Sequence, residues 1–375
     1  MSSVRRTSKA VLLSGAVLLT TAAASSPAFA WPFAPKEAPK VEAAPAPPPP
    51  PSVSMSAEAL SDAAAFRAYT KHAELLNAAF TSGAGVEQSL AVGSAYEPHQ
   101  LARGSIAYAA LLALQDRTFV EGVRTYAIDP TQRRQVAAHL AADPRYVIAF
   151  PGAASAAGLI VATMGVESSR ITDVAARIKQ SAYSVQHSAW SKTKVIDPVG
   201  RLAQTKALSA AIMNGEAGDV DQLKLAMNGG ADATAAQVLA VHGQSIPGPY
   251  APVVERGLAL AALAALGEAG DENAAAVQAV ETEPTDGACL NLAKLNLYQC
   301  LAVAVPWYED IFCLGEHALG ETAQCISNEA ASKAQIQQAE TPPPGAIMVP
   351  TAATAVSLPV SANIPLASAS LPGHR

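Results

Sequence analysis

The sequence predicts an all-α protein: an alanine-rich helical bundle that ends in a disulfide-stapled helical hairpin and is flanked by disordered ends. Three observations predict this architecture. Helix-start signals and helical hydrophobic periodicity recur between residues 56 and 339. Four cysteines lie almost symmetrically about a single proline near the end of that region. Proline-rich segments lie on both sides of it.

Residues 1–30 are predicted to be a signal peptide. Basic residues come first, an apolar stretch follows, and Ala28-Phe29-Ala30 matches the small-residue pattern of a cleavage site. The apolar stretch is too short to cross a bilayer core of about 30 Å. Cleavage is therefore expected after Ala30, with Trp31 as the new N-terminus. The mature protein is expected to be soluble and either periplasmic or secreted.

Two proline-rich segments are predicted to be disordered. Residues 31–55 form a linker that includes five consecutive prolines at 47–51, and proline favours an extended spacer because it fixes φ and lacks an amide donor. Residues 340–375 form a tail in which almost no charged side chain and no helical periodicity occur. The folded body is therefore expected to extend from residue 56 to residue 339.

Helix starts within the body have a recognisable chemistry. Asp129, Asp143 and Asp197 each precede a proline, which places an N-cap acceptor before a residue suited to the first helical turn. Ser56 and Asp271 are expected to cap the segments that follow them. These signals, together with the apolar periodicity, predict about ten to twelve helices.

The division of the body into domains is less well marked. If it comprises two domains, the boundary is expected near residues 215–230, where glycines interrupt the helical pattern. Two strand-like runs occur, at residues 146–150 and 237–241, and both are too short to build a sheet.

The cysteines predict a stapled helical hairpin over residues 289–325. Their positions are nearly mirror-symmetric about Pro306-Trp307. In two antiparallel helices joined by a turn, that symmetry places the two inner cysteines opposite each other and the two outer ones likewise. Two nested disulfides are therefore predicted. The pairs are Cys289 with Cys325 and Cys300 with Cys313.

Other uses of the cysteines fit the sequence less well. Pairing of neighbours is disfavoured because the eleven residues from Cys289 to Cys300 would span about 16 Å of helix, beyond the reach of a disulfide. A metal site is the alternative, but no Cys-x2-Cys pair occurs, and an exported protein meets an oxidising compartment. No metal and no cofactor is predicted.

The second arm of the hairpin requires an adjustment of phase. Cys313 and Cys325 are twelve residues apart, which puts them about 120° out of phase on a straight α-helix. The helix is therefore expected to bend or restart, at Gly315 or Gly320. The cysteine pattern resembles the helical hairpins of the twin Cys-x9-Cys (coiled-coil-helix) families, although ten and eleven residues separate the cysteines here. This resemblance implies hairpin geometry only.

The charge balance argues against nucleic acid and membrane partners. Without residues 1–30 the chain has 22 Lys and Arg against 31 Asp and Glu, a formal charge of −9. A net acidic protein is a poor electrostatic match for nucleic acid or anionic lipid. The longest later apolar run, at residues 152–166, is too short for a transmembrane helix. No membrane span is therefore expected in the mature chain.

One motif suggests catalysis. Ser191-Lys192-Thr193-Lys194 matches S-x-x-K, in which the serine of penicillin-binding proteins and β-lactamases acts as nucleophile and the lysine is placed to accept its proton. Ser191 and Lys194 are therefore weak candidate catalytic residues, since no K-T-G follows and the sheet of those enzymes is missing. Residues 243–247 nearly match G-x-S-x-G, but proline replaces the final glycine, and a loop is predicted.

The histidines give no convincing site. His317 and Glu321 are four residues apart and are expected to form a solvated pair on one helix face. The sequence as a whole predicts a binding or structural role in the bacterial cell envelope, with an unidentified protein or envelope component as partner. The alternative is an envelope hydrolase that uses Ser191 and Lys194. Enzymatic activity is not expected on the balance of these features.

Overall fold

A computed structural model describes residue 49 and residues 51–215, 217–227, 244–282 and 287–330. Within these ranges the chain forms thirteen α-helices and no strand beyond an isolated bridge between Lys194 and Pro306, which confirms the predicted all-α fold. The predicted signal peptide, most of the predicted linker, the tail and the strand-like run at 237–241 lie outside the described residues.

The helices differ widely in length. In chain order they are α1 (Ala57–Glu74), α2 (Gly83–Gly93), α3 (Pro98–Ala113), α4 (Arg117–Arg124), α5 (Pro130–Ala142), α6 (Ala153–Val185), α7 (Pro198–Ala210), α8 (Ala217–Met227), α9 (Pro252–Leu266), α10 (Ala274–Glu281), α11 (Ala288–Val303), α12 (Trp307–Cys313) and α13 (Thr322–Ala330). Short 3₁₀ segments occur at Pro144–Ala149 and Asp271–Asn273, and a π-helix at Leu314–Glu321. The strand-like run at 146–150 is therefore mostly a 3₁₀ turn. No helix in the described part of the chain is long and apolar enough to cross a membrane.

The Asp-Pro pairs start helical segments as predicted. The carboxylates of Asp129, Asp143 and Asp197 each accept a hydrogen bond from a backbone amide two or three residues later. Asp143 begins the 3₁₀ segment and not an α-helix. Each cap satisfies an amide that has no partner within its own helix.

Asp271 caps a different helix from the one predicted. It is the first residue of a 3₁₀ turn, and its Oδ1 accepts the backbone amide of Ala57, the first residue of α1, at 2.8 Å. Ser56 caps the same helix as predicted, since its Oγ accepts the Ala59 amide at 3.2 Å. The start of α1 is therefore completed by a residue 214 positions away in the chain.

The core forms where alanine-rich helices cross at short range. α9 is buried along nearly its whole length. A Cβ on Gly104 of α3 would lie 2.4 Å from the Asp62 carbonyl oxygen of α1, and one on Gly257 of α9 would lie 2.5 Å from Ala109 Cβ. Close approach compensates for the small area that each alanine buries. One hydrophobic cluster includes residues from both sides of the predicted boundary region 215–230.

The C-terminal hairpin contains two disulfides in the nested arrangement. They are Cys289–Cys325 and Cys300–Cys313, each with a Cα–Cα distance of 5.7 Å. α11 is the first arm, and α12, the π-helix and α13 form the second arm without interruption. The predicted stapled hairpin is thereby confirmed.

The second arm does not restart, and the irregularity that was predicted at Gly315 or Gly320 is the π-helix Leu314–Glu321, which contains both glycines. In the π-helix Leu314–Glu321, i→i+5 hydrogen bonding puts more residues into each turn than in an α-helix. Each residue of a π-helix therefore rotates the chain by less than the roughly 100° of an α-helix, and this change has the direction needed to remove the roughly 120° mismatch between Cys313 and Cys325. Both cysteines therefore face α11.

Candidate functional site

An apolar groove of about 280 Å³ lies at the turn end of the hairpin. The C-terminal ends of α6 and α11 form it together with α12. The residues that determine its chemistry are Tyr183, Val303, Tyr308, Phe312 and the inner disulfide Cys300–Cys313. We call this feature the hairpin groove.

Large apolar side chains at the hairpin groove remain exposed to solvent. Tyr183, near the end of α6, is 50% exposed, and its ring meets that of Phe312 edge-on with centroids 6.2 Å apart. Val303, the last residue of α11, is 77% exposed, and neighbouring Val305 is 49% exposed. A cluster of exposed apolar side chains is typical of an interaction surface.

The inner disulfide forms part of the groove wall. Cys313 is fully buried and Cys300 is partly exposed. Because the bond joins the end of α11 to the end of α12, it limits how far these two walls can separate. The groove therefore has a covalently fixed side, and Tyr183 of α6 faces it from a separate helix.

Charge is scarce in the hairpin groove. Glu309 is the one charged residue among its described lining residues, and its Oε2 accepts the Val305 amide at 2.8 Å. This hydrogen bond stabilises the turn between α11 and α12. The remaining surface is suited to an apolar ligand.

A buried ion pair fixes the turn that carries the groove. Arg201 of α7 donates from Nη1 to Asp310 Oδ2 at 2.6 Å, and its Nη2 donates to the Leu301 carbonyl. Both side chains are almost completely buried. Burial raises the pKa of Asp310 to about 6, against the lowering effect of Arg201. α7 therefore holds α11 and α12 together at their turn.

The predicted catalytic candidates lie beside this turn. Ser191 is completely buried, and its hydroxyl donates to the carbonyl oxygens of Val185 and, at 3.1 Å, Ser188. Lys194 is exposed, and both residues lie in an irregular segment after α6, not on a helix. The hydrogen bonds of Ser191 stabilise the segment and do not favour a nucleophilic role.

The same segment supports the groove through its backbone. The Tyr308 amide donates to the Ser191 carbonyl at 3.3 Å, and the Val195 amide donates to the Val305 carbonyl at 2.9 Å. The S-x-x-K segment thus pairs with the hairpin turn. Its short polar residues have a structural explanation that the motif alone did not reveal.

His317 and Glu321 form the predicted pair, but both side chains are partly buried and not fully solvated, and the pair is part of a larger contact. His317 Nδ1 lies 2.8 Å from Glu321 Oε1, and Glu321 Oε2 accepts from Asn296 Nδ2 at 3.0 Å. The pair therefore joins the π-helix to α11. Within the described ranges, no group of three or more His, Cys, Asp or Glu residues could hold a metal ion.

Sequence reasoning missed a buried lysine in the hairpin. Lys294 Nζ donates to the Ser94 carbonyl at 2.6 Å and lies 3.3 Å from the centroid of the Tyr96 ring. The Tyr96 hydroxyl is 2.7 Å from Thr322 Oγ1. Burial lowers the pKa of Lys294 well below its ordinary value. No local sequence signal distinguishes this lysine from a solvated one.

Comparison with protein-family models, with curated proteins and with solved structures finds no match for the chain. The function is therefore inferred from the chemistry of the chain's own residues. Of the features described, the hairpin groove is the one whose surface suits a ligand.

Proposed function

We propose that this protein is an exported binding protein of the bacterial cell envelope that holds an apolar, proline-containing segment of a partner polypeptide in the hairpin groove. The observation that carries the proposal is the exposed aromatic and aliphatic lining. Tyr183 and Val303 are left in solvent beside Phe312, where a ligand would cover them. Burial of such surface is the main favourable term in most protein associations.

The lining favours an extended peptide over a polar small molecule. Glu309 is engaged with the Val305 amide, so the groove offers few charged groups to orient a polar ligand. Aromatic-lined grooves recognise proline-rich segments, because these segments are already extended and lose little entropy on binding. The hydroxyls of Tyr183 and Tyr308 are able to donate to the carbonyls of such a backbone.

Export is supported by the signal-like N-terminus and by the disulfides. Disulfides form and persist in oxidising compartments, and the inner one forms a wall of the proposed binding site. An envelope partner would meet the protein in that compartment. The hydrolase alternative has less support, because the Ser191 hydroxyl donates to backbone carbonyls.

Binding is tested with the full mature chain and a dye-labelled decapeptide of alternating leucine and proline, followed by fluorescence anisotropy. Tyr183→Ser and Val303→Asp are each expected to weaken binding about tenfold, because each removes or charges an apolar contact. Tyr146→Ser and Ile128→Asp are matched controls, since both residues are exposed but do not line the groove. Equal affinity for all four variants, or no binding by the parent chain, would contradict the proposal.

A further inference from the structure

We propose that the resident occupant of the hairpin groove is a segment of the same chain, the apolar run at residues 346–350 with the sequence Ala-Ile-Met-Val-Pro. This inference rests on the proposed function of the groove as a peptide-binding surface. It adds regulation to that function, because a partner peptide then has to displace the chain's own segment.

The composition of this segment matches the groove. No Asp, Glu, Lys or Arg occurs between residues 341 and 374, although the chain as a whole contains 31 Asp and Glu and 25 Lys and Arg. Glu309, the one charged residue among the described lining residues, already accepts the Val305 amide. A charged segment would be desolvated in the groove without a partner, which is costly, whereas an apolar segment ending in proline is not penalised.

The segment is close enough to reach the groove. Antiparallel arms and nested disulfides place the groove at the turn end of the hairpin, and α13 ends at Ala330 at the open end. Eleven residues from Cys300 to Cys289 and five from Cys325 to Ala330 together correspond to about 24 Å of helix. The fifteen residues 331–345 span at most about 50 Å. The chain length therefore exceeds the distance about twofold.

Tethering favours this occupant over a free ligand of the same affinity. A segment joined to its site by a short linker has an effective concentration in the millimolar range. Even weak binding then keeps the groove occupied, while a tighter partner is able to displace the segment. The proline run at 47–51 is a poorer candidate, because Pro51 already packs against Gly267 at the end of α9.

Photo-cross-linking in the full mature chain tests the inference directly. With Tyr183→p-benzoylphenylalanine, irradiation is expected to produce an intramolecular cross-link to the peptide that contains residues 346–350. The same photoreactive residue at Tyr146, which is exposed outside the groove, should not produce it. Mixing with a ¹⁵N-labelled chain distinguishes cross-links within one molecule from those between copies.

Three results would overturn the inference: a cross-link to residues 47–51, a cross-link to a second copy, or no more cross-linking than at Tyr146. The double variant Ile347→Asp/Val349→Asp should lose the cross-link, since both charges would be buried without partners. Its circular dichroism spectrum should match that of the parent chain, which would show that the double variant is folded.

The double variant also separates the two proposals. If the segment competes, Ile347→Asp/Val349→Asp binds the added decapeptide about tenfold more tightly than the parent chain. Equal affinity overturns the intramolecular contact and leaves the binding function in place. If the cross-link forms while the decapeptide binds neither chain, the proposed binding of a partner segment is overturned and the intramolecular contact stands.

Discussion

The crossing of α1, α3 and α9 and the C-terminal hairpin are stabilised in different ways. At the crossing, glycine and alanine let helices approach until a Cβ on Gly104 would meet the Asp62 backbone. The hairpin also packs closely, since a Cβ on Gly315 would lie 2.8 Å from the Lys179 backbone nitrogen, but it adds two disulfides and the buried pair of Arg201 and Asp310. Fewer residues of α11 are buried than of α3 or α9, and the disulfides compensate for the apolar burial that α11 lacks.

The largest expected effect on stability comes from removal of the buried Arg201 guanidinium. Arg201→Ala leaves the Asp310 carboxylate buried without its partner, and we expect a loss of about 3–5 kcal/mol in the free energy of unfolding. Urea unfolding measures it. Arg117→Ala is the matched control, because Arg117 and Glu121 form an exposed pair, and little change is expected there.

The Arg201→Ala effect should depend on pH. The pKa of Asp310 is already raised to about 6 by burial, and loss of Arg201 raises it further. A carboxyl with a raised folded-state pKa stabilises the fold fully below its unfolded pKa and loses that contribution as pH rises through the folded pKa. The destabilisation should therefore be larger at pH 8 than at pH 5. Equal losses of unfolding free energy at pH 5 and pH 8 would contradict a buried charge on Asp310.

The next test removes the inner cross-link. Cys300→Ser/Cys313→Ser opens a bond between residues thirteen positions apart, and we expect a loss of up to about 3 kcal/mol. Hydrogen exchange should show lost protection in α11 and α12 but not in α3, because the outer disulfide and the helix crossing remain. Uniform loss of protection across the protein would show that the two regions do not differ in this way.

A smaller effect is expected at the crossing. Gly104→Ala forces a Cβ against the Asp62 carbonyl oxygen, and we expect a loss of about 1–3 kcal/mol in the free energy of unfolding. Gly165→Ala, in α6, is the control, since nothing lies within 4 Å of the added Cβ. That change should stabilise the helix by about 0.5–1 kcal/mol. Equal changes in the free energy of unfolding for Gly104→Ala and Gly165→Ala would contradict the close packing of α3 on α1 as the cause.

The smallest effect is expected at the S-x-x-K segment. Ser191→Ala removes the hydroxyl hydrogen bonds to the Val185 and Ser188 carbonyls, which are worth about 1 kcal/mol. Thermal unfolding should shift slightly, and decapeptide binding should be unchanged. Failure of the folded variant to replace the parent protein in cells, at normal abundance and with normal binding, would favour the hydrolase alternative.

The hairpin could be predicted from sequence because the four cysteine positions are nearly symmetric about one turn, and this symmetry can be seen without knowledge of the tertiary structure. Its π-helix could not, because a 120° mismatch has several solutions and no residue between Cys313 and Cys325 specifies winding. The hairpin groove was also missed. Tyr183 and Phe312 lie on separate helices, and no local pattern relates two residues that meet only through tertiary packing.

Caps were predictable where donor and acceptor are neighbours in sequence. Ser56 and Asp129 satisfy amides within three residues, and local propensity therefore identifies them. Asp271 was assigned to the wrong helix because its carboxylate bonds to Ala57, far away in the chain. A cap from a distant part of the chain cannot be identified from the residues that precede the helix in sequence.

That remote cap also leads us to expect a particular order of folding. α1 is the first helix of the described chain, yet the Ala57 amide needs Asp271, and the Tyr69 hydroxyl donates to the Ala318 carbonyl, 249 positions later. Contacts of such long range form late because closing the intervening chain costs entropy. We therefore expect α1 to acquire these two partners late in folding, although it is synthesised first among the described helices.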